Sequence, residues 1–145
     1  MKRISCKEEV CIGCHLCEIA CVTEHSRSKD VVKAYKEESP RPTPRNMVEE
    51  EGALSFSVAC RHCDEPSCVE ACIAGAMVKD YETGVVKHQP EKCVGCWSCV
   101  MACPRGAVKI DPSKTRVIKC DLCPDREVPA CVAACPNRAL ICEEK

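Results

Sequence analysis

Apolar positions in this chain come in short runs set between charged and turn-forming residues. "AMVKDYETGVVKH" (76–88) is one such run, a polar turn at Asp80 to Gly84, and a returning run, which predicts strand, turn and strand. "AVKIDPSKTRVIK" (107–119) repeats the device with its turn near Asp111-Pro112. "KRISC" (2–6) and "ALICEE" (139–144) are strand-like and lie near the two termini. Short stretches such as "CVEAC" (68–72) and "CVMAC" (99–103) predict one or two helical turns each. Residues 22–52 break the pattern. They are polar and charged, carry "PRPTPR" and then Glu49-Glu50-Glu51, and read as an excursion loop with a short hairpin or as a docking element for a partner. No segment approaches the roughly 18 apolar residues of a membrane span.

Composition changes the picture. The chain has 145 residues, 46% of them hydrophobic, but that figure counts 18 cysteines. One Phe, one Trp and two Tyr leave little aromatic mass for a core. A bound inorganic group is the natural filler, and folding would then be coupled to metal binding. "MKRISCKEEV" has no apolar run after its basic residues and no twin-arginine pair, so a cytoplasmic location with free thiols is expected. A formal net charge of −1 points to neither nucleic acid nor a membrane surface, and no direct membrane insertion is expected.

Sixteen of the cysteines fall into four groups: Cys11, Cys14, Cys17, Cys21; Cys60, Cys63, Cys68, Cys72; Cys93, Cys96, Cys99, Cys103; and Cys120, Cys123, Cys131, Cys135. Every group opens with C-x-x-C and closes with C-x-x-x-C, and only the middle gap varies. The stretches after Cys72, Cys103 and Cys135 also repeat, each a short turn and then a strand. Gly75 and Gly106 fit a turn position with positive φ; Arg138 breaks that pattern.

Two shorter patterns compete for parts of these groups. Cys11-Ile-Gly-Cys14-His15 matches the c-type haem signature, but the stretch continues to Cys17 and Cys21 on a rhythm that recurs three more times. Zinc sites use pairs of C-x-x-C, and a third cysteine at the same spacing has no role there. A cubane [4Fe–4S] cluster needs four thiolates at tetrahedral corners, three of which one tight loop supplies while backbone N–H groups turn toward its sulfides. Gly13 and Gly95 let that loop turn closely. Sixteen thiolates thus match four [4Fe–4S] clusters. With oxidised cores of charge 2+ they add about −8, for a total of about −9. Lys119, Arg61, Arg105 and Arg138 adjoin ligands and offset part of this.

The stretches "CIGCHLCEIAC", "CRHCDEPSCVEAC", "CVGCWSCVMACP" and "CDLCPDREVPACVAACP" together resemble the ferredoxin-like, four-cluster iron–sulfur subunits of dimethyl sulfoxide reductase, formate dehydrogenase, formate hydrogenlyase and carbon monoxide dehydrogenase systems. The resemblance spans nearly the whole chain. Ile73, where such proteins usually have Pro, and a short middle gap in the fourth group depart from it.

The resemblance implies an α+β fold of two ferredoxin-like units related by a pseudo-two-fold axis and nested in sequence: 1–26 with 107–145, and 55–106, with 27–54 as the charged excursion. The strand-like termini agree with nesting. The hairpin between the third and fourth groups is as ferredoxin-like as the one between the second and third, which leaves a sequential pairing open. In two-cluster ferredoxins the last cysteine of a group serves the neighbouring cluster. Nested pairing then implies cluster A on Cys11, Cys14, Cys17 and Cys135, and cluster B on Cys120, Cys123, Cys131 and Cys21. Cluster C takes Cys60, Cys63, Cys68 and Cys103, and cluster D takes Cys93, Cys96, Cys99 and Cys72.

Cys6 and Cys142 are left as small apolar residues on the terminal strands. Trp97 is expected to shield a cluster from water, and His15, His25, His62 and His88 show no acid–base partners in sequence. Fully liganded cubanes offer no open position for substrate, and no nucleotide loop is present. The expected role is therefore non-catalytic: an electron-transfer subunit of an oxidoreductase complex, suited to anaerobic metabolism. Its partners would be a catalytic subunit (a molybdenum or tungsten enzyme, carbon monoxide dehydrogenase or hydrogenase) and a second redox protein. A freely diffusing polyferredoxin and an iron–sulfur regulatory or maturation protein are the alternatives.

Overall fold

The computed structural model describes residues 1–113 and 115–144. Among these residues, eight short strands and five short α-helices alternate: β1 (Lys2–Cys6), α1 (Leu16–His25), α2 (Val31–Lys36), β2 (Met47–Glu51), β3 (Leu54–Val58), α3 (Ser67–Glu70), β4 (Met77–Lys79), β5 (Val86–His88), α4 (Ser98–Ala102), β6 (Lys109–Ile110), β7 (Val117–Ile118), α5 (Ala130–Ala134) and β8 (Leu140–Glu144). This is a small α+β architecture. The strands pair as four antiparallel two-stranded ribbons: β1 with β8, β2 with β3, β4 with β5 and β6 with β7.

The terminal pairing sets Ile4 opposite Cys142 and Cys6 opposite Leu140. It draws the last cysteine group back onto the first, and α1 packs against α5 while α3 packs against α4. No ribbon is wide enough to bury a face by itself. The two buried clusters are correspondingly rich in sulfur. One joins Ile4, Cys17, Ala59, Cys60, Ala107, Cys120, Leu122, Cys131 and Leu140; the other joins Met77, Cys99, Val108 and Val117.

Local signals behave as their chemistry requires. Asp80 Oδ1 accepts the N–H groups of Glu82 and Thr83, which closes the turn between β4 and β5. Asp30 caps α2 by accepting from Val32 and Lys33. The excursion is more ordered than a solvated loop. It holds α2 and β2, and the β2–β3 hairpin runs on past residue 54 to Val58. In β3 the buried positions are Ser55 and Ser57, whereas Leu54 is exposed and Phe56 half-buried. The small hydroxyl residues face the first cysteine group: Ser55 Oγ donates to the Cys11 carbonyl at 3.1 Å.

The turn after each C-x-x-x-C is the same in three copies. Gly75 (φ +62°), Gly106 (φ +60°) and Arg138 (φ +52°) are all left-handed, so the arginine departs from the sequence pattern without changing the backbone. The third position of C-x-x-C is left-handed in all four groups: Gly13 (+63°), His62 (+47°), Gly95 (+69°) and Leu122 (+63°). A Cβ on Gly95 would lie 2.7 Å from the Thr115 carbonyl oxygen, whereas one on Gly106 would meet nothing within 4 Å. Gly106→Ala therefore costs only left-handed strain, about 1 kcal/mol. Gly95→Ala should cost clearly more, read as a larger drop in anaerobic denaturant midpoint; equal losses would contradict the close approach.

Candidate metal centre

Each C-x-x-C arm is a loop whose left-handed residue turns backbone N–H groups inward. His62 and Leu122 donate their N–H groups to Cys60 Sγ (3.5 Å) and Cys120 Sγ (3.4 Å). The closing cysteines accept from the turns that follow: Ala76 N–H to Cys72 Sγ at 3.1 Å and Ala139 N–H to Cys135 Sγ at 3.2 Å. Cys21 Sγ accepts from Arg45 N–H of the excursion at 3.2 Å. Such bonds favour thiolate over thiol and are a protein lever on iron–sulfur potentials.

Two cavities gather four thiols each. Cys11, Cys14 and Cys17 line one cavity with Cys135, walled by Val10, Val48 and Leu140. Cys93, Cys96 and Cys99 line a second with Cys72, beside Met77, Trp97 and Val117. Burial pushes the Cys131 thiol up to about 12, with Cys21, Cys123 and Cys17 adding to it. Burial likewise pushes Cys68 up to about 11, reinforced by Cys60, Cys103 and Cys63 against the pull of Lys119. Cys120 is raised by burial and by the nearness of Cys60 and Cys131. Thiols crowded in low-dielectric surroundings hold their protons until a cation replaces them. Four soft sulfur donors per set, in apolar pockets, suit iron–sulfur chemistry.

A different set gathers around Asp121. His25, Asp121 and Cys123 present ligand atoms within 4.8 Å of one another. His25 donates through Nδ1 to the Cys21 carbonyl (2.8 Å) and through Nε2 to Asp121 Oδ1 (3.1 Å). Burial opposes its charge, but the bonds to Asp121 and Cys21 outweigh that and hold the imidazole up at about 9. Burial also raises Asp121, yet the His25 bond and the Arg45 charge hold its carboxyl far below the usual range. Arg45 Nη1 sits 2.5 Å from Asp121 Oδ2. Two cationic side chains already saturate the carboxylate, so this is a clamp between the excursion, α1 and the fourth group, with no room for a cation.

The remaining residues fall in two classes. Arg61, Arg105 and Arg138 are exposed, whereas Lys119 is 4% exposed. Cys6 and Cys142 are half-buried on β1 and β8, and Cys6 Sγ accepts Ser57 N–H at 3.4 Å. His62 is 1% exposed and Nδ1 accepts Val86 N–H at 2.9 Å. Burial and then the Lys119 charge push this imidazole down to about 3. Sequence reading missed both the His25 and the His62 partners.

Residues 52–145 match the family described as "4Fe-4S dicluster domain", and residues 8–23 match "4Fe-4S binding domain". The chain belongs to the ferredoxin-like 4Fe-4S electron-transfer family. It is 37% identical over 151 aligned residues to the electron transport protein HydN of Escherichia coli, covering 93% of this chain and 83% of that one. It is 34% identical over 147 residues to the formate dehydrogenase-O iron-sulfur subunit of Escherichia coli, covering 90% of this chain and 49% of that subunit. In fold it is similar to a component of the active site complex BamBC of benzoyl coenzyme A reductase, with a TM-score of 0.56 at 22% identity over 100% of this chain and 78% of that one. Among the described residues of this ferredoxin-like protein, no helix is long and apolar enough to cross a membrane.

Asp121→Ala should release Arg45 and His25 together. Amide exchange across residues 42–48 should then quicken about tenfold, the scale of one charge-assisted bond. Unchanged protection would show that the excursion is anchored elsewhere.

Proposed function

We propose that this chain carries four [4Fe–4S] clusters in line and relays single electrons between a catalytic redox subunit and a second redox partner. The observation that carries it is the order and exposure of the thiol sets. Cys17 lies close enough to Cys131 to raise the proton affinity of Cys131, and Cys60 acts likewise on Cys120. Cys68, Cys72, Cys99 and Cys103 pack around one buried cluster. The sets therefore follow one another as Cys11/14/17/135, Cys120/123/131/21, Cys60/63/68/103 and Cys93/96/99/72, the ligand sets we assign to clusters A, B, C and D. Of the 18 cysteines only Cys14 and Cys96 are exposed, one in each end set. Exposed apolar side chains stand two positions from them in the chain: Ile12 and Leu16 about Cys14, and Val94 before Cys96.

When bound, each cluster supplies one-electron chemistry without a coordination position for substrate. The chain's own residues do the rest. The thiols fix position, Val48, Leu140, Met77, Trp97 and Val117 exclude water, and the inward N–H groups favour the anionic state. We read 1–26 with 107–145 and 55–106 as two nested, pseudo-symmetric units. The β1–β8 pairing and the α1–α5 and α3–α4 packing support this. The excursion 27–54 covers the first unit.

The names of the relatives, an electron transport protein and a subunit of an oxidoreductase, support a non-catalytic role beside a catalytic subunit of the molybdenum, tungsten, carbon monoxide dehydrogenase or hydrogenase type. We infer a cytoplasmic relay with no nucleic-acid partner. Anaerobic affinity purification from the native cell tests the partnership: a stoichiometric redox subunit should accompany the chain, and its absence favours a diffusing polyferredoxin.

Iron and acid-labile sulfide should each reach about sixteen per chain, four cubanes of four; about eight would leave only two clusters. Cys21→Ser should perturb the set on Cys120, Cys123 and Cys131 and leave that on Cys11, Cys14 and Cys17 largely intact. Loss of the latter in electron paramagnetic resonance would refute the cross-ligation.

A further inference from the structure

Two lysines are buried among the described residues, Lys79 at 7% and Lys119 at 4% exposure. A buried ammonium is costly unless something anionic answers it. Lys79 donates to the Cys63 (3.0 Å) and Asp64 (2.7 Å) carbonyls and has Asp64 Oδ1 at 4.0 Å. Lys119 has no carboxylate at ion-pair distance among the described residues. Its Nζ donates to the Val86 carbonyl (2.5 Å) and the Cys120 carbonyl (2.8 Å). The other backbone group of Val86, its N–H, is held by His62 Nδ1. One residue of β5 is thus gripped by the second cysteine group on one side and by the residue preceding the fourth on the other.

That seam is where the two inner thiol sets meet. Val86 is 1% exposed, and Cys60 and Cys120 lie in the same buried cluster. Lys119 holds the Cys120 carbonyl directly, and through Val86 it is joined to His62, the residue between Cys60 and Cys63. His62 accepts the Val86 N–H through Nδ1, so its hydrogen sits on Nε2 and the ring is neutral. Lys119 is then a buried positive charge where the second and fourth cysteine groups meet. At the ends the surroundings differ: neither cavity that gathers the outer thiols has a lysine or arginine in its lining.

We propose that Lys119 sets the order of potentials along the relay: its ammonium, fixed on the Val86 and Cys120 carbonyls, holds the two inner clusters at higher potential than the two outer ones. The inference rests on the four-cluster reading above. Each one-electron reduction adds one negative charge. A fixed cation nearby, screened by protein instead of water, stabilises that reduced state. An electron arriving at either exposed end would then settle in the middle until a partner withdraws it.

Potentiometric titration followed by electron paramagnetic resonance, on the full-length holoprotein, tests this. In Lys119→Met, two of the four centres should fall by about 59 mV or more, a tenfold lower reduced-to-oxidised ratio at a fixed ambient potential. The other two should stay, and Lys119→Arg should keep the wild-type order. An equal shift of all four centres, no shift, or the same fall in Lys119→Arg would overturn the proposal. If Lys119→Met binds less iron than wild type, Lys119→Gln keeps a donor for the carbonyls without the charge and gives the same readout. Iron loss in both variants would assign Lys119 to assembly and also overturn it. Fewer than four centres in the wild type would instead defeat the four-cluster reading. The Lys119 effect would then be read on the centre that Cys120→Ser abolishes.

Discussion

Crowded thiols dominate this protein. Eighteen cysteines crowd a chain of 145 residues, and the surrounding structure is too thin to bury them as ordinary apolar residues. The ribbons are two-stranded, and among the described residues no helix exceeds ten residues. Burial drives Cys68 and Cys131 well above the usual thiol range, and neighbouring sulfurs drive them further. Such an interior is stable as a metal-filled object: the cation that releases the protons also replaces the missing aromatic core.

The backbone follows from that demand. To aim three thiols and several N–H groups at one point, the chain must turn left-handed inside C-x-x-C. It does so whether the residue there is glycine, as at Gly13 and Gly95, or His62 and Leu122. The turn after each closing cysteine likewise persists when glycine gives way to Arg138. The geometry belongs to the sulfur arrangement; glycine relieves its left-handed strain throughout and matters most where a neighbour also comes close, as the Thr115 carbonyl does at Gly95.

Polar seams tie the thiol sets together. Arg45, Asp121 and His25 fasten the excursion to α1 and to the fourth group. His62 and Lys119 fasten both sides of Val86. These bonds lie in a setting where an unpaired polar atom is costly. Each seam also brings a defined charge to a chosen sulfur set. The same residues thereby contribute to stability and to the electrostatic environment of the cofactor.

The cysteine rhythm alone determined much of this. It is a local code, so the four groups, their helical turns, the hairpins at 77–88 and 109–118 and the family were legible without coordinates. The strand-like ends also foretold the β1–β8 ribbon. What the sequence could not show were the long-range partners. His25 meets Asp121 across 96 positions and Arg45 meets it across 76. No spacing rule encodes such pairs, since they arise only once the last group folds back on the first. The β2–β3 hairpin hid its packing because its buried positions are polar: Ser55 and Ser57 turn inward to thiols and carbonyls, while Leu54 faces outward. Among the basic residues beside ligands, sequence made Lys119 equal to Arg61, Arg105 and Arg138. Tertiary structure alone buried the first and left the others in solvent, because Lys119 alone of these four finds two backbone carbonyls waiting inside.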